Sequence, residues 1–378
     1  MKSTGIRVVM VSAGFWPAVG GAERQALELS RALRARGAEV TVLTRRTDCT
    51  EAREEVLGVP VRRLRVFGRG AFDSLSFVFG AFGWLLKHGA EYDAIHAHLA
   101  GSPALAAALA GRCLGKPVLV KLGGGRGIGE LAASSRTGLG RLKLRVLALL
   151  KPHFLAVVPD LASEAREHLG GEAIEILPNG VDVNRYKPVS PKEKQALRAK
   201  LGWSGTVFLY TGRLSPEKRL PWFAKIWDEA ARGREASLIL VGEGSEREEL
   251  DDLAAASSGR IRVLPPTDDV AGLYAAADAF VLPSLSEGLS NSLLEAMSSG
   301  LTVIASGVGG TAETVEDGET GLLFARDDAP AVAACVRRVL ETAGLAAKLG
   351  TNARRACEER YALARVAERL EELYRGVP

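Results

Sequence analysis

Residues 283–300, PSLSEGLSNSLLEAMSSG, follow the apolar run Ala279 Phe280 Val281 Leu282, and the change of character between them sets the reading of the whole chain. Four consecutive apolar residues read as a buried strand, and the Pro, Ser and Gly behind them end it and turn the chain. A helix is expected to begin near Ser290, capped by its hydroxyl or by that of Ser292. The unpaired N–H groups of that first turn, with the positive end of the helix dipole, favour an anion such as a diphosphate. Gly288 lets backbone and anion approach closely, and Glu287 then faces whatever the phosphate carries. Glu295, a turn and a half inside, is placed to accept two hydrogen bonds from a vicinal diol, each contributing roughly 1.5–3 kcal/mol. Two Glu on one helix also read as merely solvated, so the rest of the chain has to decide.

Other motifs stand in order around this one. Tyr210 Thr211 Gly212 Arg213 Leu214 Ser215 Pro216 Glu217 Lys218 follows an apolar strand at 207–209, and Leu177 Pro178 Asn179 Gly180 Val181 Asp182 reads as a strand end and a tight Asn-Gly turn. Gly307 Val308 Gly309 Gly310 Thr311 Ala312 Glu313 is a third glycine-rich element, read as mainly structural. Near the start, a strand at 8–11 runs through residues 14–23, GFWPAVGGAE, into an amphipathic helix reaching about Arg36. Gly20 and Gly21 open that helix. The loop fits neither the dinucleotide fingerprint nor a P-loop, because no Gly-x-Gly-x-x-Gly and no Gly-Lys-Ser/Thr is present there. Ile95 His96 Ala97 His98 Leu99 closes a short strand. A histidine there is either a satisfied core residue or a site residue, and no partner at metal-ligand spacing accompanies the pair.

Taken together these residues resemble the retaining GT-B glycosyltransferases of family 4, in the variant common among bacterial polysaccharide and lipid-sugar enzymes. Glu287 and Glu295 match the family's E-x7-E, Arg213 and Lys218 its G-R-x3-E-K, and 178–182 its P-N-G-V-D at the domain crossing. Gly20 and Gly21 match its G-G loop, and His98 the second position of its H-x-H. The resemblance implies that Arg213 and Lys218 hold the donor diphosphate, Glu287 the donor sugar and Glu295 the ribose. Gly20, Gly21, Gly288, Leu289 and Ser290 would complete the donor cradle, and His98 would point toward the donor sugar or acceptor. An Arg fork and a Lys point charge on one pyrophosphate neutralise the charge that grows on the leaving group. They take the place of a metal, and the chain contains no Asp-x-Asp. Neither metal nor cofactor is expected.

The chain departs from the pattern in one place. Many relatives carry an active-site His after the next strand, where this chain has VLVKLGGGRG at 118–127. A glycine-rich loop bearing Lys121 and Arg126 either binds an anionic acceptor or is merely solvated.

The expected fold class is α/β of GT-B type, two doubly wound parallel-sheet domains facing across a cleft. With 378 residues the chain exceeds one typical core, and strands alternate with helices in both halves. The expected divisions are 1–180, acceptor-binding; 181–361, binding the nucleotide sugar; and 362–378, a helix crossing back to the first domain. Residues 1–175 carry 24 Lys and Arg against 16 Asp and Glu, and the remainder 25 against 29, so the basic half is the expected acceptor domain. Within it Arg62, Arg63, Arg65 and Arg69 precede an aromatic-rich stretch at 72–86. That stretch reads either as a helix packed on the core or as a contact with an anionic membrane surface, and it is too short to span a bilayer. No amino-terminal signal peptide is visible, and four scattered cysteines without Cys-x-x-Cys read as reduced thiols. The expectation is a cytoplasmic protein, either free or peripheral at the inner face of the plasma membrane.

The function expected from the resemblance is transfer of a hexose from a UDP-sugar, or a GDP-sugar, to a hydroxyl of a lipid-linked or polysaccharide acceptor, with no nucleic-acid partner. An epimerase or hydrolase of the same fold and a non-catalytic sugar-nucleotide sensor are the alternatives.

Overall fold

The computed structural model of the chain describes residues 5–17, 20–170 and 174–376; Ala18 and Val19 of the first glycine loop lie outside them. The chain divides into two compact units. One comprises the residues up to Gly180 together with those from Leu363 onward, and the other is Val181–Ala362.

The first unit is built on β1 (Arg7–Val11), β2 (Glu39–Arg45), β3 (Arg53–Val56), β4 (Val59–Leu64), β5 (Ala94–His98), β6 (Val118–Lys121), β7 (His153–Ala156) and β8 (Ile174–Ile176). They form one sheet in the order β3-β4-β2-β1-β5-β6-β7-β8. Its central strands are apolar runs buried on both faces, as a parallel sheet covered by helices requires. All pairings are parallel except β3 with β4, so the sheet is not purely parallel. Only Leu57 and Gly58 connect β3 to β4, both at positive φ. Two residues make a hairpin and are far too few for a crossover.

The second unit holds β9 (Thr206–Thr211), β10 (Ala236–Val241), β11 (Ile261–Leu264), β12 (Ala279–Leu282), β13 (Thr302–Ser306) and β14 (Gly321–Phe324), all parallel, in the order β11-β10-β9-β12-β13-β14. Both sheets are doubly wound, as expected. In such sheets the strand order reverses at a switch point, and loops leaving the carboxyl ends of the strands there form the ligand crevice. The reversal falls between β1 and β5 in the first unit and between β9 and β12 in the second.

The helix Leu363–Gly376 packs on helix Gly21–Ala35 and puts Val366, Ala367, Leu370 and Tyr374 into the core shared with Val8, Met10 and Leu29. Each large apolar side chain so buried contributes about 1.5–3 kcal/mol. Arg36 anchors the same helix by a 2.9 Å hydrogen bond to the buried Glu371. Gly180 lies against it, where a Cβ would come within 2.8 Å of the Leu363 Cα. Gln25 meets the backbone of Gly180 twice, donating to its carbonyl at 2.9 Å and accepting from its N–H at 3.2 Å. Gly180 is thus a close-approach requirement, and the tight turn expected of the Asn-Gly pair is not formed.

Candidate functional site

At the switch point of the second unit the loops after β9 and β12 are tied together, the Leu285 N–H donating to the Glu217 carbonyl at 2.8 Å. This brings Lys218 onto Glu287. The two form an ion pair with side chains only 15% and 10% exposed, and Ser284 Oγ donates to the same carboxylate oxygen at 2.6 Å. Behind them Gly309, at φ 46°, lies where any Cβ would come within 2.2 Å of the Glu287 carbonyl oxygen, and the Gly310 N–H donates to that oxygen at 3.1 Å. The third glycine-rich element therefore acts on Glu287, holding its backbone in place.

The helix Asn291–Ser298 begins one residue after Ser290, whose Oγ accepts from the Leu293 N–H at 3.3 Å and lies 3.0 Å from Ser292 Oγ. Gly288 and Leu289, both buried, lead into it. Glu295 stands inside the helix, buried, and accepts a 3.0 Å hydrogen bond from the Tyr274 hydroxyl. That hydroxyl also lies 2.5 Å from Thr211 Oγ1 and 3.2 Å from the Ser292 carbonyl. Thr211 ends β9, so one phenol joins the end of a strand, the first turn of the helix and the carboxylate. Arg213 is different in kind. Its side chain is 77% exposed and pairs with Glu217 at 3.3 Å.

In the first unit His98 ends β5 and pairs in register with Lys121 at the end of β6. His96 and His98 stack with centroids 4.7 Å apart, and His96 Nδ1 is 2.6 Å from the Tyr374 hydroxyl. Burial drives both imidazoles toward the neutral form, with the charge of Lys121 adding to the effect, and brings His98 down to about 3. His96 is thus tied to the last helix through Nδ1, and Nε2 of both imidazoles is buried without a hydrogen-bond partner. Helix Gly21–Ala35 starts on Gly20, and the Glu23 carboxylate occupies the space beneath it: a Cβ on Gly20 would sit 2.5 Å from Glu23 Oε2.

Two expectations about this unit are corrected. Lys121 is no loop residue. It is the last residue of β6, 4% exposed, its Nζ 3.4 Å from the Pro178 carbonyl, and burial lowers its ammonium to about 7. Arg126 does stand on the loop, but it is committed to Asp160 at 3.1 Å and Glu167 at 2.6 Å, which neutralise it as an anion site. The basic cluster before 72–86 also loses a member, since Arg63 is buried against Glu54 and the Trp16 carbonyl. The stretch itself is helix Ala71–Lys87, with Phe77, Val78, Ala81 and Leu85 in the core and Phe72, Leu75, Phe79 and Leu86 exposed.

The residue following each of two central side chains is held in the left-handed region without being glycine: Leu99 after His98 (φ 69°) and Arg219 after Lys218 (φ 54°). Such strain persists only where surrounding structure imposes it and concentrates at functional sites. Thr211, Tyr274 and Ser284 escaped the sequence reading. Their types and spacings are those of ordinary core and loop residues, and only the folded topology brings them to the two Glu. A cavity of about 510 Å³ in the second unit, lined by Lys194, Tyr274, Asp278, Ser299 and Gly300, lies where the chain enters β12 and β13, and of these groups it touches Tyr274 alone.

A doubly wound sheet whose switch point gathers Arg, Lys, two buried Glu and a helix N-terminus defines an α/β protein with its ligand crevice at the carboxyl ends of the strands. Residues 19–185 match the family described as Glycosyltransferase Family 4 and residues 205–342 that described as Glycosyl transferases group 1. The chain belongs to these glycosyltransferases, with the GT-B fold. It is 32% identical over 216 residues to a GDP-mannose-dependent monoacylated alpha-(1-6)-phosphatidylinositol monomannoside mannosyltransferase of Corynebacterium glutamicum. That match covers 54% of this chain and 56% of the relative, so the chain spans about half of that protein. Over 364 residues it is 28% identical to a phosphatidyl-myo-inositol mannosyltransferase of Mycolicibacterium smegmatis, covering 89% of this chain and 85% of the relative. Among solved structures, Anabaena Alr3699/HepE in complex with UDP and glucose superposes with a TM-score of 0.77 at 22% identity, over 97% of this chain and 98% of that one.

Proposed function

We propose that the protein is a retaining, metal-independent glycosyltransferase that moves a hexose from a nucleoside diphosphate sugar to a hydroxyl of a lipid-linked or polysaccharide acceptor. The carrying observation is the Lys218–Glu287 pair beside the capped helix at Ser290, with Glu295 held by Tyr274 one turn further. A diphosphate bound at the helix N-terminus would draw Lys218 and the exposed Arg213 to its oxygens, leaving Glu287 turned to the sugar. Glu295 would take the ribose diol. Two cations on the diphosphate offset the charge that grows there as the glycosidic bond breaks, an electrostatic contribution of about 3–4 kcal/mol per preorganised group. The departing diphosphate would accept the proton of the attacking hydroxyl on the same face of the sugar. In the first unit, His98, neutral and with an unpartnered Nε2, and Lys121 would serve the acceptor.

A UDP-sugar is the first donor to try, since HepE, of the same fold, was solved with UDP and glucose. A GDP-sugar is the second, since the Corynebacterium glutamicum relative is described as GDP-mannose-dependent. Support comes from a rise in melting temperature with one nucleotide sugar in EDTA, followed by acceptor-dependent turnover in EDTA with the donor's anomeric configuration kept. Sugar release or conversion without an acceptor would overturn transfer in favour of hydrolysis or epimerisation, and turnover abolished by EDTA would overturn metal independence.

A further inference from the structure

Among the described residues thirteen large apolar side chains are exposed, and they are not scattered: nine lie within 67–86 and 128–149, and only one in the second unit. On helix Ala71–Lys87 the exposed set, Phe72, Leu75, Phe79 and Leu86, recurs at three-, four- and seven-residue intervals and forms one stripe. On helix Gly138–Leu150, Leu139, Leu142 and Leu149 are 54%, 56% and 81% exposed, while Leu144 and Leu147 face the core. The two helices share a layer. Both lie on crossovers running the same way along the sheet, which places them on one face, and each packs against helix Ser102–Leu114 between them.

The charge of the second segment matches its apolar face. Residues 136–151, RTGLGRLKLRVLALLK, hold five Lys and Arg and no acidic residue. Arg136, Arg141 and Arg145 are exposed, and none makes an ion pair among the described residues. Beside the first helix stand Arg65, Arg69 and Lys87, also exposed, and the one acidic residue there, Asp73, is taken by Arg45 at 2.7 Å. Apolar side chains flanked by cations on one helical layer match an interface with hydrocarbon below and anionic headgroups around it. No helix among the described residues is long and apolar enough to cross a membrane.

We propose that this face of the first unit docks in the plane of an anionic phospholipid bilayer, with helix Gly138–Leu150 inserting Leu139, Leu142 and Leu149 while Arg141 and Arg145 engage the headgroups, and helix Ala71–Lys87 lying beside it. The sequence pattern of 72–86 gave only half of this surface. The second helix is legible only once Leu144 and Leu147 are known to be its buried side. The proposal does not rest on the transferase reading, because bare lipid without sugar nucleotide tests it.

The experiment is cosedimentation of the full chain with vesicles of phosphatidylcholine alone or with about 30% phosphatidylglycerol, at low and moderate salt. The chain is expected to bind the anionic vesicles in a salt-sensitive way. Each cation at such a surface is worth roughly fivefold in partitioning, so Arg141→Gln with Arg145→Gln should weaken binding about 30-fold. Leu142→Ser with Leu149→Ser should abolish the salt-resistant part, and Lys192→Gln with Lys200→Gln, exposed in the second unit, should change nothing. All six positions are exposed or half-exposed, so the variants are expected to fold, and circular dichroism checks it. The proposal is overturned if the chain stays in the supernatant with anionic vesicles or if both first-unit variants bind as wild type. It is equally overturned if light scattering shows a dimer that Leu142→Ser with Leu149→Ser dissociates, for then a second copy covers the face.

Discussion

Replacing Lys218 by Met should destabilise the second unit even though it removes a residue proposed to act on substrate. Its ammonium is the cation against Glu287, and with the side chains only 15% and 10% exposed its loss leaves a carboxylate largely out of water, held by Ser284 Oγ. Removing one partner of a fully buried pair costs about 3–5 kcal/mol. The residual exposure lets water reach the carboxylate, so about 2–3 kcal/mol is expected here. For a unit of this size each kcal/mol corresponds to roughly 2–4 °C, giving a fall in melting temperature of about 4–12 °C. Adding Glu287→Gln removes the orphaned charge and should recover most of that loss, leaving a coupling energy of about 1–3 kcal/mol in the double-mutant cycle. Urea and thermal unfolding of wild type, the two single variants and the double variant measure it. A Lys218→Met protein as stable as wild type, or a double variant no better than Lys218→Met, would refute the pairing. Activity gives the complementary reading: the double variant should regain stability while its turnover stays about two orders of magnitude or more below wild type, because only Arg213 is then left to meet the diphosphate.

Three further outcomes are expected. Tyr274→Phe removes a hydrogen bond to a buried carboxylate, roughly 1.5–3 kcal/mol, and should raise the Kd for the nucleotide sugar about 10- to 100-fold with little change in kcat; equal affinity measured by calorimetry would remove Tyr274 from the site. Gly309→Ala forces a Cβ toward the Glu287 carbonyl and should cut turnover more than it lowers melting temperature, and wild-type turnover would show that the close approach is not needed. His98, held at about 3 when folded against about 6.5 unfolded, binds a proton more readily in the unfolded chain, so stability is lost as pH falls between those values. Its share between pH 7 and pH 5 is about 2 kcal/mol. His98→Gln should flatten the urea-unfolding free energy over that interval, and an unchanged slope would refute its neutral burial.

The fold was legible because its determinants are local. Apolar runs such as 279–282 alternate with amphipathic helices, and turn residues stand where strands end. The β3–β4 hairpin was not seen, because its signal is two residues, Leu57 and Gly58. In the site, the motifs put Lys218 and Glu287 on the loops after β9 and β12 and Glu295 in the helix that follows. They could not show that Lys218 lies on Glu287, 69 positions away, or that Tyr274 and Thr211 support Glu295, since those contacts arise from strand order. Lys121 was misplaced for a similar reason. The glycines after it suggested a loop, yet the strand runs one residue further and buries it beside His98.

The last helix has a consequence for how the chain is made. Because Leu363–Gly376 completes the first unit while Val181–Ala362 is continuous, the second unit is a self-contained insertion into the first. At about 5–20 residues per second, the ribosome leaves the first unit without its closing helix for roughly 10–40 s after Gly180 emerges. Val8, Met10 and Leu29 await Leu370 and Tyr374 throughout that time, and His96 awaits its phenol. The nascent first unit is therefore the one in need of protection from aggregation, and the excised segment Val181–Ala362 is the half to produce on its own for donor-binding measurements.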